Sequence, residues 1–207
     1  MTRLPIPDLD DAVSWAAHHL GDLAMEGADG VAASRRFIGG QTAADEALAD
    51  FDVRGYANDR NEVLPQDARG ASGLSPYIRY NLLQLPRVWD SVDGAPARDA
   101  GKFRDELLWQ EYARHLYARV GGRIAEPLRR EPAVGRGWTG EAWREDMACM
   151  AEVRRELIED GWLVNQTRLW AASQWTVRAG RAWREGERAL YRHLVDGSTA
   201  ANGVGWQ

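Results

Sequence analysis

The sequence predicts an all-α fold, and three observations carry that prediction. Apolar side chains recur at helical spacing in several segments, which begin or end near Ser, Pro or Gly. Strand signals are scarce, because no alternating run of β-branched residues extends beyond a few positions. With 207 residues, 44% of them hydrophobic, the chain is long enough to form one domain with a sizeable core.

The composition narrows the classes of function. The net charge of −5 argues against a duplex-DNA-binding module, which usually carries a basic face. Cys149 is the only cysteine, so the sequence predicts no intrachain disulfide and no metal site built on thiolates. No apolar run is long enough to cross a bilayer, and residues 1–10 lack a signal-peptide core, so we expect a cytoplasmic protein without a membrane partner.

Tryptophan is the one unusual residue type in this chain. The sequence has ten tryptophans but three phenylalanines, so the excess is of indole rather than of aromatic side chains in general. A buried indole N–H needs a hydrogen-bond partner, which makes tryptophan costly as a simple core residue. The surplus indicates stacking surfaces or an electron-transfer relay, with large core side chains as the simpler explanation for most of them.

The first part of the chain contains short helices and a long polar segment. Residues 7–27 predict an amphipathic helix, and we expect residues 1–36 to pack on a domain formed by residues 37–207. Thr42 begins a capping-box-like pattern for a short second helix. Residues 53–72 are rich in Asn, Asp, Gly and Pro and predict a loop, and loops of this length are commonly functional or disordered.

The segment after this loop predicts a helix with a polar N-terminus. Ser75 is a good N-cap and Pro76 a good first helical residue, and the helix is expected to continue to Trp89. The free N–H groups of its first turn, with the Ser72 hydroxyl and the permissive Gly73, would suit a phosphate group. The alternative is a plain helix start, since many helices begin with Ser-Pro and bind nothing.

Residues 102–120 predict a longer helix with polar chemistry on one side. Phe103, Glu106, Trp109 and Gln110 fall at helical spacings, so an acid, an indole and an amide can line a cavity together. The alternative is a surface stripe in which Trp109 is half buried.

The last quarter of the chain, residues 161–207, contains more polar detail than an ordinary core needs. A helical run over residues 139–160 precedes it, and within it Asn165 and Arg168 share a helix face. Trp183 begins a further helix, and an irregular tail of small residues follows. This pattern predicts a site for a flat, partly polar ligand.

Ordered motifs give the chain a resemblance to a known family. It resembles the FAD-binding catalytic domain of the DNA photolyase/cryptochrome family, from about Phe37 to Gln207. In family order, the matching motifs are Gly39-Gly40-Gln41-Thr42-Ala43, Tyr56 with Arg60-Asn61, Ser72-Gly73-Leu74-Ser75-Pro76-Tyr77, Glu106-Leu107-Leu108-Trp109-Gln110-Glu111, Gly161-Trp162 with Asn165 and Arg168, Trp183-Arg184-Glu185-Gly186-Glu187, Asp196-Gly197 with Ala200-Ala201-Asn202, and Gly205-Trp206-Gln207.

The resemblance implies a bound FAD, bent into a U, and a set of residues around it. It places Tyr56 and the Ser72 to Ser75 loop at the diphosphate, and an Arg168–Asp196 ion pair beside the isoalloxazine ring. It places Asn202 at flavin N5, where an amide can bond to the N5–H of the reduced flavin. The remaining implied contacts are Phe103, Glu106 and Gln110 on the adenine and substrate side, Trp162 and Asn165 near the adenine and the cavity mouth, and Ser198 near the flavin pyrimidine edge.

The same resemblance implies an electron relay of tryptophans. Trp206 and Trp183 match its two inner members, whereas the outer position falls near Val134, where no tryptophan is present. Trp138 or Trp143 is the expected substitute, unless the relay is shortened. Packing is the expected role of Trp170 and Trp175.

Several departures from the family pattern bear on function. The family's N-terminal antenna domain and its terminal helices are expected to be missing. Gln110 and Gln166 stand where repair enzymes usually carry arginines, which should weaken DNA binding. Ala71 replaces a hydroxyl residue of the phosphate loop, and Ser198 replaces a second aspartate near the flavin.

Two hypotheses follow from the resemblance and these departures. The first is a minimal photolyase that repairs cyclobutane pyrimidine dimers in damaged DNA. In this hypothesis Glu106, Trp109 and Asn165 hold the flipped dimer, and the expected substrate is single-stranded rather than duplex DNA. The second is a non-repair flavoprotein, either a redox or light-sensing module or a subunit completed by a partner chain. An uncovered apolar face would also favour a homo-oligomer or a covering partner protein.

Overall fold

The computed structural model describes residues 3–24, 27–127, 134–135 and 140–207. Helices and turns account for the regular structure, and no strand occurs among these residues, so the all-α prediction is confirmed. None of the described helices combines the length and the apolar character needed to cross a bilayer. The chain divides into two compact units, Met1–Arg35 and Arg36–Gln207.

The first unit contains one helix, α1, within its described residues. A 3-10 turn at Leu9–Asp11 leads into α1 at Ala12–Leu20, and further 3-10 turns follow at Gly21–Leu23 and Gly27–Gly30. No side chain caps the start of α1. How this unit packs on the rest of the chain stays a prediction.

The second unit is formed by helices α2 to α10 and short turns between them. Its α-helices are α2 Gln41–Asp50, α3 Tyr56–Asp59, α4 Ser75–Arg79, α5 Leu85–Asp90, α6 Ala97–Val120, α7 Ala148–Glu159, α8 Asn165–Ser173, α9 Trp183–Tyr191 and α10 Thr199–Gly205. Gln66–Ala68 and Gly121–Ala125 are 3-10 turns, and Gln174–Arg178 is a π-turn that continues α8.

Two apolar cores stabilise this unit. The first contains buried side chains of α2 to α5 and the start of α6, among them Leu48, Leu74 and Phe103. The second contains side chains of α7, α8 and α9 together with Trp206 of the C-terminal segment. The long helix α6 contributes Phe103 and Leu107 to the first core and also contacts α10.

The helix predicted from Ser75 to Trp89 is two helices in the structure. Its chain turns at Asn81, whose φ of 60° is in the left-handed region that Asn tolerates better than most residues. Pro86 in the first turn of α5 supports a new helix start, because proline lacks the N–H that a continuous helix would need there.

The N-caps of α2 and α4 also differ from the prediction. Gly40, not Thr42, precedes α2, and the Gln41 amide rather than a threonine hydroxyl bonds to Asp45 Oδ1 at 2.9 Å. Leu74 precedes α4, so Ser75 is the first helical residue rather than the cap. Its hydroxyl bonds instead to Asp196 and Trp162, which are distant in sequence.

Two helices in the C-terminal part differ from the prediction, because the tail is helical rather than irregular and the helix that ends near residue 160 is shorter than expected. The tail forms α10, because the Ser198 hydroxyl accepts from Ala201 N at its start and Ala200, Asn202 and Gly203 are buried. The helical run expected from residue 139 is observed only as α7, from Ala148, and Thr139 lies outside the described residues.

Candidate functional site

A cavity of about 530 Å³ lies in the second unit and is within the usual range for small-molecule sites. It is lined by residues of α3, α4, α6, α8, α9 and α10 and of the segments before α4, α8 and α10. The predicted site residues that line it are Tyr56, Ser72, Gly73, Ser75, Phe103, Glu106, Trp109, Gln110, Trp162, Asn165, Arg168, Asp196, Ser198, Asn202 and Trp206.

The buried carboxylate of Asp196 is the most connected polar group of this cavity. Its Oδ2 accepts from Arg168 Nη2 and from Ser75 Oγ, each at 2.7 Å. Trp162 Nε1 donates to the same Ser75 hydroxyl at 2.9 Å, so three chain-distant segments meet at one oxygen. Arg168 is fixed further by its Nε, which donates to Leu163 O at 2.9 Å.

One oxygen of Asp196 has no partner among the described residues. Its Oδ1 is buried and accepts no hydrogen bond there, although a buried carboxylate oxygen without a donor costs free energy. A ligand N–H or O–H entering the cavity would supply that donor. The donor set of the cavity therefore fits a ligand that carries such groups.

Local backbone geometry explains why Asp196 is where it is. Val195 N donates to Gly161 O at 2.8 Å, which joins the turn before α8 to the segment before α10. Gly161 has a φ of 66°, and a Cβ there would lie 2.8 Å from Val195 Cγ1. Only glycine permits this approach without strain, so Gly161 sets the position of the Asp196 backbone.

Asn202 is oriented by the start of its own helix. Its Oδ1 accepts from Ser198 N at 3.4 Å, while the Ser198 hydroxyl accepts from Ala201 N at 3.4 Å. With the amide oxygen turned to the backbone, the amide N–H₂ is the group that Asn202 can offer to a ligand. Ser198 thus acts here as a helix cap as well as a lining residue.

The α6 side of the cavity carries an ion-paired acid. Glu106 Oε1 lies 3.0 Å from Lys102 Nζ and 3.4 Å from Arg60 Nε. Burial raises the pKa of the Tyr56 phenol, and the Glu106 carboxylate adds to the rise, so Tyr56 is a neutral hydrogen-bonding group at physiological pH. Phe103 packs edge-on against Tyr56, with ring centroids 5.2 Å apart.

The cavity opens beside exposed aromatic side chains. Trp109 is 63% exposed although it lines the cavity, and its ring packs edge-on against Tyr112 at a centroid distance of 5.9 Å. Trp109 is therefore more exposed than the half-buried position that the alternative expected, and it also borders the cavity. An exposed indole at a cavity mouth is suited to stacking against a flat ligand.

Two predicted site residues do not line the cavity. Leu74 is fully buried in the first apolar core, and Trp183 is 3% exposed in the second. Of the other tryptophans, Trp143 and Trp175 form a ring pair at a centroid distance of 5.0 Å. Trp138 lies outside the described residues.

The sequence analysis also missed several lining residues. Leu169 and Ala172 continue the face of α8 that carries Asn165 and Arg168, and the i, i+3, i+4, i+7 spacing of these four residues was a usable signal. Arg36 does not line the cavity, but its guanidinium lies 4.4 Å from the ring centroid of Trp162, and no local pattern indicates this contact. Among the described residues, no group of three or more His, Cys, Asp or Glu could hold a metal ion.

Comparison with known proteins identifies the family. The family model described as the FAD binding domain of DNA photolyase matches residues 103–207, the C-terminal half of the chain. The chain belongs to this family. The matched region contains most of α6 and all of α7 to α10, and hence the Arg168–Asp196 pair, Asn202 and Trp206.

Curated relatives are DNA photolyases in name and are much longer than this chain. A deoxyribodipyrimidine photo-lyase of Synechococcus sp. is 30% identical over 184 residues, which is 81% of this chain and 38% of the relative. The enzyme of that name from Escherichia coli is 31% identical over 151 residues, covering 65% of this chain and 29% of the relative. The chain thus spans less than two fifths of the length of these relatives.

Solved structures show the same fold. A bacterial class III photolyase from Agrobacterium tumefaciens superposes with a TM-score of 0.64 at 24% identity, covering 83% of this chain and 38% of that one. An archaeal photolyase from Sulfolobus tokodaii superposes with a TM-score of 0.61 at 21% identity, covering 89% of this chain and 43% of that one. The all-α architecture is therefore that of the photolyase FAD-binding domain.

Proposed function

We propose that the cavity binds FAD and that the protein uses it for light-driven electron transfer, with repair of cyclobutane pyrimidine dimers in DNA as the reaction. The observation that carries the proposal is Asp196, a buried carboxylate with one oxygen held by Arg168 and Ser75 and the other open to a donor. Membership in the photolyase FAD-binding family names the ligand class that supplies such a donor.

The proposed cofactor contacts follow from the lining of the cavity. Asp196 Oδ1 would accept from the flavin ring, and the Asn202 amide would donate to it. Tyr56, Ser72 and Gly73 would hold the diphosphate. The Ser75 hydroxyl can contribute only its remaining lone pair, because it already donates to Asp196 and accepts from Trp162. The other proposed contacts are Phe103, Glu106, Gln110, Trp162, Asn165, Arg168 and Ser198, with Leu74 acting through its backbone.

FAD, when bound in its reduced form, would supply one electron to the dimer under illumination and take it back after the dimer splits. The residues proposed to hold the dimer are those at the cavity mouth. Trp109 offers an exposed ring for stacking, which is worth about 1–3 kcal/mol per base in single-strand binding. Glu106 and Asn165 would bond to the edges of the extruded bases.

The charge of the protein favours weak binding of single-stranded DNA over binding of duplex DNA. Gln110 lines the cavity and Gln166 follows Asn165 on α8, and neither amide can neutralise a phosphate. The net charge of −5 acts in the same direction. We therefore expect binding that is detectable at low ionic strength and lost as salt is raised.

Cofactor binding is tested first, by titrating FAD into the purified protein and following flavin fluorescence. Asp196→Asn should weaken FAD binding, because the amide adds an N–H₂ where an acceptor is required. Asp52→Asn is the matched control, since Asp52 is an exposed acid paired with Arg54 outside the cavity. Parent protein that stays colourless and binds no FAD would contradict the proposal.

Repair is tested on a short single strand that contains one thymine dimer, illuminated at low salt with reduced, FAD-loaded protein. We expect the parent protein to remove the dimer, and we expect the rate of dimer removal to be much lower with Trp109→Ala. Leu108→Ala is the control, because Leu108 is also exposed on α6 but does not line the cavity. FAD-loaded protein that neither binds nor repairs this strand would contradict repair and favour a flavoprotein without repair activity.

The second candidate is a flavoprotein without repair activity, such as a redox or light-sensing module or a subunit completed by a partner. Glu106 favours it, since this acid is already ion-paired with Lys102 and Arg60 and must give up part of that pairing to bind a dimer. Oligomerisation or a covering partner protein, like the cytoplasmic location, stays a prediction of the sequence.

A further inference from the structure

A row of indole rings leads away from the cavity along a route that the family pattern does not predict. Trp206 lines the cavity and is 9% exposed. A Cβ on Gly186 would lie 2.5 Å from Trp206 Cζ3 and 2.6 Å from Trp175 Cγ. The two indoles therefore approach the same point on α9, and these atoms are no farther apart than the sum of the two distances.

The row continues from Trp175 to Trp143. Their ring centroids are 5.0 Å apart with an interplanar angle of 56°. Trp175 Nε1 donates to Ala182 O at 3.0 Å, and Trp143 Nε1 donates to Ala171 O at 2.9 Å. Both rings are thus held in place at their N–H ends, and both are only half-buried, so the outer end of the row reaches solvent.

Among the described residues, which do not include Trp138, the route through Trp183 has no outer tryptophan at the expected position. Trp183 is buried, and Val134, at the place of the outer relay member, is an exposed aliphatic residue that cannot carry an electron vacancy. Local cations do not separate the routes, since Arg184 lies 5.1 Å from the Trp183 ring and Arg181 lies 5.4 Å from the Trp175 ring. Within the part of the chain that the structure describes, connectivity to solvent is what distinguishes the two routes.

We propose that Trp175 and Trp143 form a branch of the electron relay, with electrons entering at Trp143 and passing through Trp175 to Trp206. The proposal rests on the FAD-binding function proposed above. Packing explains why the rings are buried in part, but it does not require an unbroken row from the cavity to solvent. Trp143 is the electron entry site in this scheme, and Trp175 is the intermediate carrier.

The electron balance of the branch is simple. Under illumination one electron leaves the Trp206 indole for the flavin, and one electron moves from Trp175 to Trp206 and one from Trp143 to Trp175. An external thiolate returns one electron to Trp143, and two such events convert two thiolates into one disulfide. No proton needs to move, because the N–H groups of both outer indoles are bonded to backbone carbonyls, which do not accept protons.

The branch is tested on the full, FAD-loaded chain with Trp143→Phe, Trp175→Phe and Trp183→Phe, and with Trp89→Phe as a control in the other apolar core. The rate of flavin photoreduction with added dithiothreitol should fall by most of its value in the first two variants and stay at the parental level in the control. Transient electron paramagnetic resonance should show the outer tryptophan radical in the parent and not in Trp143→Phe.

A measurement on flavin-free protein checks the geometry independently of the cofactor. Two indoles at this distance and tilt should give a coupled near-ultraviolet circular dichroism band, which either Trp143→Phe or Trp175→Phe should remove. Retention of that band in either variant would contradict the ring pair of Trp143 and Trp175. A parental photoreduction rate in either Trp143→Phe or Trp175→Phe would overturn the branch, whatever the rate in Trp183→Phe. A failure to bind FAD at all would instead reject the proposed function, so the two failures are distinguishable.

Discussion

At the scale of single residues, the hydrogen-bond and ion-pair partners of a buried acid explain its role better than its residue type does. Asp196 and Glu187 are both nearly buried acids, with an arginine at 2.7 Å and at 3.0 Å respectively. Asp196 also accepts from a hydroxyl and faces the cavity. Glu187 lies on α9 in the second apolar core region, where burial raises its pKa against the opposing effects of Arg184 and Arg188.

This difference gives a prediction for stability against pH. An acid whose pKa is higher in the folded state binds protons more tightly there, so its contribution to stability declines as pH rises from the unfolded value, about 4.3, towards the folded one. Replacing Glu187 by Gln removes that decline. The Tm of Glu187→Gln, relative to the parent, should therefore rise between about pH 4 and pH 7.

Differential scanning calorimetry across that pH range measures the trend. The control is Glu185→Gln, an exposed acid on the same helix, whose Tm should follow that of the parent at each pH. A Tm difference for Glu187→Gln that stays constant with pH would contradict the prediction.

At the scale of elements, α9 depends on a residue without a side chain. Gly186 lies in the middle of α9, where glycine is normally unfavourable for helix stability, and two indoles occupy the space that its Cβ would take. The close approach of Trp206 and Trp175 to this helix is thus what the glycine permits. The hydrogen bond from Trp175 Nε1 to Ala182 O makes it hard for the Trp175 ring to move aside.

We expect Gly186→Ala to destabilise the protein by about 1–3 kcal/mol, because the added methyl group overpacks the core by more than the helix gains from alanine. Gly101→Ala on α6 is the matched control, since nothing lies within 4 Å of its Cβ position. That control should stabilise the protein by roughly 0.5–1 kcal/mol. Urea denaturation measures both, and equal effects of the two substitutions would show that the approach of the indoles is not limiting.

At the scale of the whole molecule, a buried ion pair joins the polar loop to the second core. Arg69 Nη2 lies 2.6 Å from Glu156 Oε1 on α7, and both side chains are almost fully buried. Gln66 Nε2 donates to the same oxygen at 3.0 Å, and Arg69 Nε donates to Val63 O at 2.8 Å. The loop between α3 and α4, which carries Ser72 and Gly73 to the cavity, is therefore held by α7.

Arg69→Met should lower the free energy of unfolding by roughly 3–5 kcal/mol, because it leaves the Glu156 carboxylate buried with only partial pairing. Amide hydrogen exchange should accelerate across residues 60–72 before it does so in α7. The double variant Arg69→Met, Glu156→Leu should recover much of the loss, since neither charge is then buried alone.

The exposed pair of Arg54 and Asp52 provides the comparison. Arg54→Met should change neither stability nor exchange in the loop appreciably. Equal denaturation midpoints for Arg69→Met and Arg54→Met would mean that the buried pair does not anchor the loop.

Sequence patterns predicted the helices better than their ends. The helical spacing of residues 102–120 predicted most of α6, because side chains at i, i+3 and i+4 share a helix face. The family motifs predicted many of the residues that line the cavity, although Leu74 and Trp183 do not line it. The caps of α2 and α4 were wrong at Thr42 and Ser75, because Gln41 and Asp196 provided better partners than the local ones. Such partners are distant in sequence and leave no local signal.

The sequence by itself determined the all-α class, the family and many of the residues that line the cavity, because helical periodicity and short motifs are local properties of the chain. Only the tertiary structure decided that Ser75 bonds to Asp196, that Arg69 is paired with Glu156, and that Trp206, Trp175 and Trp143 form a row beside Gly186. Each of these contacts joins segments that are brought together only when the apolar cores form, so their geometry is a property of packing.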